Sequence, residues 1–165
     1  MRNNHARIIA LGGMMAALAV VIMCLGGLIP VATFVCPVLC MLLERFVVIS
    51  CGSRIGWAWY GAVAILSLLL GPDKEAAAVF AFLGYYPILK PRLDAMKLGI
   101  FFKLLLFNGA ILLMYWLLIH LFGMDQISAE YAELGTVMTG VLLILGNLTF
   151  FLLDKVLGKQ LRRRK

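Results

Sequence analysis

Apolar residues in this chain come in long unbroken runs. They do not alternate as in a half-buried strand, nor form the single stripe of a surface helix. The runs are Ala6–Ile29, Thr33–Cys51, Trp57–Leu70, Glu75–Leu89, Leu98–Phe122 and Thr136–Leu157. Breakers close each of them: Gly26, Gly27 and Pro30; Gly52-Ser53-Arg54; Gly71-Pro72-Asp73; Pro87 and Pro91; Gly123; and Gly158. A helix crosses the hydrocarbon core in about 20 residues. The pattern therefore predicts an all-α membrane protein with six transmembrane helices, forming a single integral domain over residues 1–165. The third and fourth runs are short, so a four-span or re-entrant arrangement is the alternative.

Composition supports the membrane reading. Of the 165 residues, 64% are hydrophobic and only 14% charged, with a mean hydropathy of +1.02. A soluble domain carries about a quarter of its residues as charges, so this chain cannot cover a water-facing surface. No cleavable signal layout is expected, because the first run lacks a cleavage site and another span follows at once.

Charge placement sets the orientation. With both termini cytoplasmic, the inner segments hold Arg2, Arg7, Arg54, Lys90, Arg92, Lys97, Lys155, Lys159, Arg162, Arg163, Arg164 and Lys165. The outer loops hold Lys74 against Asp73, Glu75, Asp125, Glu130 and Glu133. That asymmetry follows the positive-inside rule. The basic tail after Gly158 suits an anionic inner leaflet, and basic residues spread over loops and ends argue against nucleic acid as a partner. The loop 123–135 carries Ile127, Tyr131 and Leu134 at the spacing of a short surface helix. Trp57, Trp59, Tyr85 and Tyr86 fall near the inner interface, where aromatics anchor helix ends.

Small residues line the first run at helical spacing: Ala6 and Ala10, Gly12 and Ala16, Gly13 and Ala17. Residues four apart share a helix face, and in lipid such a strip lets a second helix approach to backbone contact. It can serve the protein's own packing or a second membrane protein.

Charges inside spans are costly and mark function or packing. Glu44 and Arg45 lie in the second run and Lys103 in the fifth. At about 1.5 Å per residue, Glu44 and Lys103 both sit roughly 9 Å from their inner helix ends, which predicts an intramembrane Glu44–Lys103 ion pair. A register-fixing pair and a proton relay are the two readings of it, and Arg45 is expected to point elsewhere and snorkel inward.

Cys24, Cys36, Cys40 and Cys51 read as small buried hydrophobes. His5 and His120 have no ligand partners at metal spacing, so no metal is expected. There is no convergent catalytic set and no phosphate-binding glycine loop, so neither an enzyme nor a cofactor is expected. In the outer half, Asn108, Trp116 and His120 share one face of the fifth run, and Thr139 and Asn147 one face of the sixth. With Asp73 and Lys74 they offer aromatic walls and a few polar groups, the mixture of a small-molecule pocket.

Six short spans, both ends inside, and Arg7-Ile8-Ile9-Ala10-Leu11 followed by Met15-Ala16-Ala17-Leu18 resemble the substrate-binding S components of energy-coupling factor (ECF) transporters. That family docks through an Ala-x-x-x-Ala motif in its first helix onto a transmembrane coupling protein. Ala6 and Ala10 match the motif, and Gly13 and Ala17 extend it. The resemblance implies a protein of the bacterial plasma membrane that captures a vitamin-like micronutrient from outside. It also implies a partner scaffold and two ATPase subunits that drive reorientation in the bilayer. Nickel and cobalt members carry a histidine directly after the initiator Met, where this chain has Arg2, and the diagnostic loops of the thiamin and riboflavin binders are not evident. The competing reading is a structural protein similar to the six-span cell-shape scaffolds of bacteria, which needs the strip for a permanent partner and no solute pocket.

Overall fold

The fold was analysed in a computed structural model, which describes residues 2–26, 32–96, 98–120, 140–141 and 143–158. The loop 123–135, Thr139, the basic tail and the side chains of His5 and His120 lie outside the described residues. All regular structure among the described residues is helical. Four helical stretches are long and apolar enough to cross a membrane: Ala6–Gly26, Thr33–Cys51, Ser53–Leu70 and Gly99–Leu117. The chain divides into two compact units, Met1–Met96 and Lys97–Lys165.

Unit 1 holds five helices: α1 (Arg2–Gly26), α2 (Ala32–Cys51), α3 (Ser53–Leu70), α4 (Lys74–Leu83) and α5 (Tyr86–Asp94). The helix α2 is central, packing against each of the other four. Cys36, Cys40, Met41, Glu44, Arg45 and Val47 are all buried on it. Between α2 and α3 only Gly52 intervenes, at φ 92°. A side chain at that left-handed angle is strained, whereas glycine adopts it freely. Four residues past the turn, Gly56 meets α2 so closely that a Cβ there would lie 2.5 Å from Val48 Cγ2. The inward stripe of α3 continues as Trp59, Val63, Ala64 and Ser67, at the three- and four-residue steps of one helix face.

The expected fourth span is built as two short helices. Asp73 caps α4, its Oδ1 accepting from the Ala76 N–H at 2.9 Å, which satisfies one of the donors a helix start leaves open. The helix stops at Gly84, where a Cβ would come within 3.0 Å of the Tyr60 ring. The 10 residues of α4 rise only about 15 Å, half of a bilayer core of about 30 Å. Pro87 starts α5 and Pro91 lies inside it.

Two of the four expected interface anchors are core residues instead. Trp59 and Tyr86 are buried, whereas Trp57 is exposed and Tyr85 half-buried. Trp59 lies on the same inward stripe as Val63, so its ring packs edge-on against Phe80, with centroids 6.4 Å apart. Tyr60 meets the Phe80 and Tyr85 rings at 5.9 and 6.3 Å. These aromatic contacts join α3 to α4 and to the corner before α5.

Unit 2 contains α6 (Gly99–His120) and α7, helical over residues 140–141 and 143–158. The two run antiparallel in fixed register. Lys103 faces Asp154, Phe107 stacks on Phe150 with centroids 4.4 Å apart, and Asn108 meets Asn147.

Candidate functional site

On α1 the small residues divide between two faces. Gly12 and Ala19 are buried and Ala16 half-buried; a Cβ on Gly12 would sit 3.9 Å from Ile55 of α3. This face packs inside unit 1. Ala6, Ala10, Gly13 and Ala17 are all exposed, and a Cβ on Gly13 would meet nothing within 4 Å. Ile9, Met14 and Leu18 flank this second face and are exposed too. The sequence periodicity fitted internal packing and external docking equally, and the structure provides a separate face for each.

Polar groups in unit 1 are mostly engaged by its own backbone and caps. Besides capping α4, Asp73 accepts from Thr33 Oγ1 at 2.7 Å. Lys74 Nζ donates to the Leu68 carbonyl at 2.8 Å, the Tyr60 hydroxyl donates to the Ala81 carbonyl, and buried Lys90 pairs with Asp94 at 3.3 Å. The Cys40 thiol donates to the Ala19 carbonyl at 3.5 Å. Cys36 and Cys40 are buried and Cys24 and Cys51 half-buried, all as free thiols.

Glu44 and Arg45 differ from these groups. Glu44 is 0% exposed, and neither of its carboxylate oxygens has a hydrogen-bond partner. Arg45 is 1% exposed; its Nη1 donates to the Pro87 carbonyl at 3.1 Å, while Nε and Nη2 have none. The guanidinium therefore does not reach outward to water. It bridges α2 to the start of α5.

Of the expected Glu44–Lys103 pair, the lysine is engaged within its own unit. Lys103 Nζ donates to both carboxylate oxygens of Asp154 at 3.1 Å, within unit 2. Matching depth on two helices is necessary for a pair but does not choose between acids at similar depth. Asp154, three residues from the end of its run, was the residue missed. The signal that could have found it is the antiparallel register: Lys103 with Asp154 and Phe107 with Phe150 advance together, four residues on each helix.

The residues expected to bind substrate fall in both units. Asp73 and Lys74 belong to unit 1, where they cap α4 and the end of α3. In unit 2 the amides of Asn108 and Asn147 bond each other in both directions, at 3.0 and 3.1 Å. Each also donates back to the carbonyl four residues earlier, Leu104 and Leu143, at 2.9 Å. Trp116 is exposed on α6; His120 ends that helix, and Thr139 lies outside the described residues.

No protein-family profile, curated protein or solved structure matches this chain.

Proposed function

We propose that this chain is a membrane-embedded capture subunit for uptake of a vitamin-like micronutrient. It docks through α1 onto a transmembrane coupling protein that works with two ATPase subunits, and it carries no catalysis of its own. The carrying observation is the exposed line Ala6, Ala10, Gly13 and Ala17, with open space above Gly13. Between lipid-exposed helices there is no hydrophobic driving force, so association depends on close backbone approach, which small residues allow. The Arg7…Ala10-Leu11…Ala16-Ala17-Leu18 layout and the expected cytoplasmic termini agree with the docking mode of ECF S components.

Two measurements test the two halves of this reading. Ala10→Leu with Ala17→Leu should abolish co-purification of the partner while leaving the isolated chain folded; retained association removes the docking face. A thermal-shift screen in detergent against vitamins and their precursors should give one clear hit. A ligand bound only to the folded state adds about 2.7 kcal/mol at a hundred times its dissociation constant. That hit should be lost on replacing Trp116 or His120.

A second reading, a structural protein of the bacterial envelope, is favoured by one observation. Asn108 and Asn147 satisfy each other, and Asp73 and Lys74 satisfy the chain's own backbone. A blank solute screen with a partner still bound through α1 selects it.

A further inference from the structure

We infer that the Glu44 carboxyl is the seat of a monovalent cation, a proton or an alkali ion, taken into the core of unit 1. This does not depend on the uptake reading. A carboxylate with no exposed surface and no hydrogen bond is far too costly to be left bare, so it is neutralised by a proton or matched by a positive charge. Within a membrane-crossing helix, water is not at hand to do this.

The described side chains do not supply that charge. Arg45 is the next residue on α2, but a step of one residue turns it about 100° around the helix axis. Its Nη1 is committed to the Pro87 carbonyl, and its other guanidinium nitrogens make no hydrogen bond to the Glu44 carboxylate. Lys90, on α5, is paired with Asp94, and Lys74, at the start of α4, with the Leu68 carbonyl. Arg54 on α3 and Arg92 on α5 are exposed, as is Arg7 near the start of α1.

The polar neighbours are placed to admit an ion without themselves neutralising the acid. The turn at Gly52 and the Gly56–Val48 approach fix the α2–α3 register, and Tyr60 and Glu44 each lie eight residues from Gly52. The Tyr60 phenol on α3 gives its proton to the Ala81 carbonyl. Its oxygen keeps lone pairs that can face a cation. One turn along α2, the Cys40 thiol donates to the Ala19 carbonyl. Cys36 is a turn further along the same buried face. Thr33, which donates to Asp73, and Cys36, Cys40 and Glu44 follow at three- and four-residue steps along α2, so one helix face carries polar groups from the α4 cap into the core. Glu75 on α4, Tyr85 and Tyr86 at the start of α5, Cys24 on α1 and Cys51 at the end of α2 are the other titratable groups with described side chains on the packed elements.

Infrared difference spectra of the full chain in lipid nanodiscs, wild type minus Glu44→Gln, decide the matter. They are recorded in choline, sodium and potassium salts across a pH series. A protonated-carboxyl carbonyl band in choline that is lost in Glu44→Gln and fades as pH rises identifies a proton. A carboxylate band that shifts when choline is exchanged for sodium or potassium, and only in wild type, identifies an alkali ion. A carboxylate band indifferent to both pH and cation overturns the proposal. If Glu44→Gln does not fold, the other glutamates can be removed instead. A chain grown on isotopically labelled glutamate and carrying Glu75→Gln, Glu130→Gln and Glu133→Gln then reports Glu44 alone, with the same three outcomes.

Discussion

Asn108 and Asn147 each donate an amide N–H to the other's carbonyl oxygen, at 3.0 and 3.1 Å, so that one polar clasp joins α6 to α7. Both side chains are half-buried on helices whose other faces are apolar. An amide in such surroundings finds no better partner than a second amide, which offers both donor and acceptor.

Replacing one of these asparagines strands the other. Asn147→Leu is expected to destabilise the protein by about 1 kcal/mol, the scale of an interhelical hydrogen bond in a membrane protein. The double variant Asn108→Leu with Asn147→Leu should cost less than the two single changes added together. Unfolding of the four proteins in a double-mutant cycle measures this. Strict additivity would mean that the clasp contributes nothing.

The Lys103–Asp154 pair is deeper in its unit and bears charge. Lys103→Met removes the ammonium that bonds both Asp154 oxygens and should cost about 1–3 kcal/mol. That is below the loss for a fully buried pair because Asp154 keeps some exposure. Lys103→Met with Asp154→Leu should recover most of the loss, since an apolar pair needs no partner. Melting curves of the single and double variants test it. A double variant as unstable as Lys103→Met alone would show that the charge balance is irrelevant.

Two glycines should answer the same substitution in opposite ways. Gly56→Ala drives a methyl into Val48 Cγ2 at 2.5 Å and should cost about 1–3 kcal/mol through overpacking. Gly13→Ala enters open space on α1 and should be neutral or stabilising by up to about 1 kcal/mol, because alanine is the better helix former. Thermal melting of the two variants side by side compares them. Equal effects would mean that α1 and α3 do not present these faces.

Asp73 starts α4, its side chain accepting from the Ala76 N–H. Asp73→Ala should cost about 1 kcal/mol for the lost cap and also frees Thr33 Oγ1 from its acceptor. Asp73→Asn, which keeps a capping oxygen, should restore most of the stability. Hydrogen exchange at the Ala76 and Ala77 amides reads the effect locally, and unchanged protection in Asp73→Ala would rule the cap out.

The membrane class and the helical runs were legible in the sequence, because they depend on quantities that add along the chain. Long apolar stretches force the backbone to satisfy its own hydrogen bonds, and runs of about 20 residues, set by the bilayer, can be counted without knowing what packs where. Four of the predicted runs appear as helices of membrane-crossing length. The division of the fourth run at Gly84 was not legible, since it depends on the Tyr60 ring lying against that glycine from another helix.

Contacts between helices were read least well, and for one physical reason. Spacing along a helix shows which residues share a face, but not which neighbour the face meets. Two small-residue faces on α1 carried the same periodicity, and only tertiary packing sent Gly12 inward and left Gly13 exposed. Trp59 and Tyr86 looked like interface anchors from their position near a helix end, yet the rotation of α3 and the turn into α5 bury them. Depth proposed Glu44 for Lys103, whereas the antiparallel register of α6 and α7 supplies Asp154. The sequence by itself determined that this protein is helical, suited to a membrane and sparing with charge. Tertiary structure alone decided which of its few polar groups found one another and which, like Glu44, were left without a partner, because partner choice depends on helix rotation and register rather than on composition.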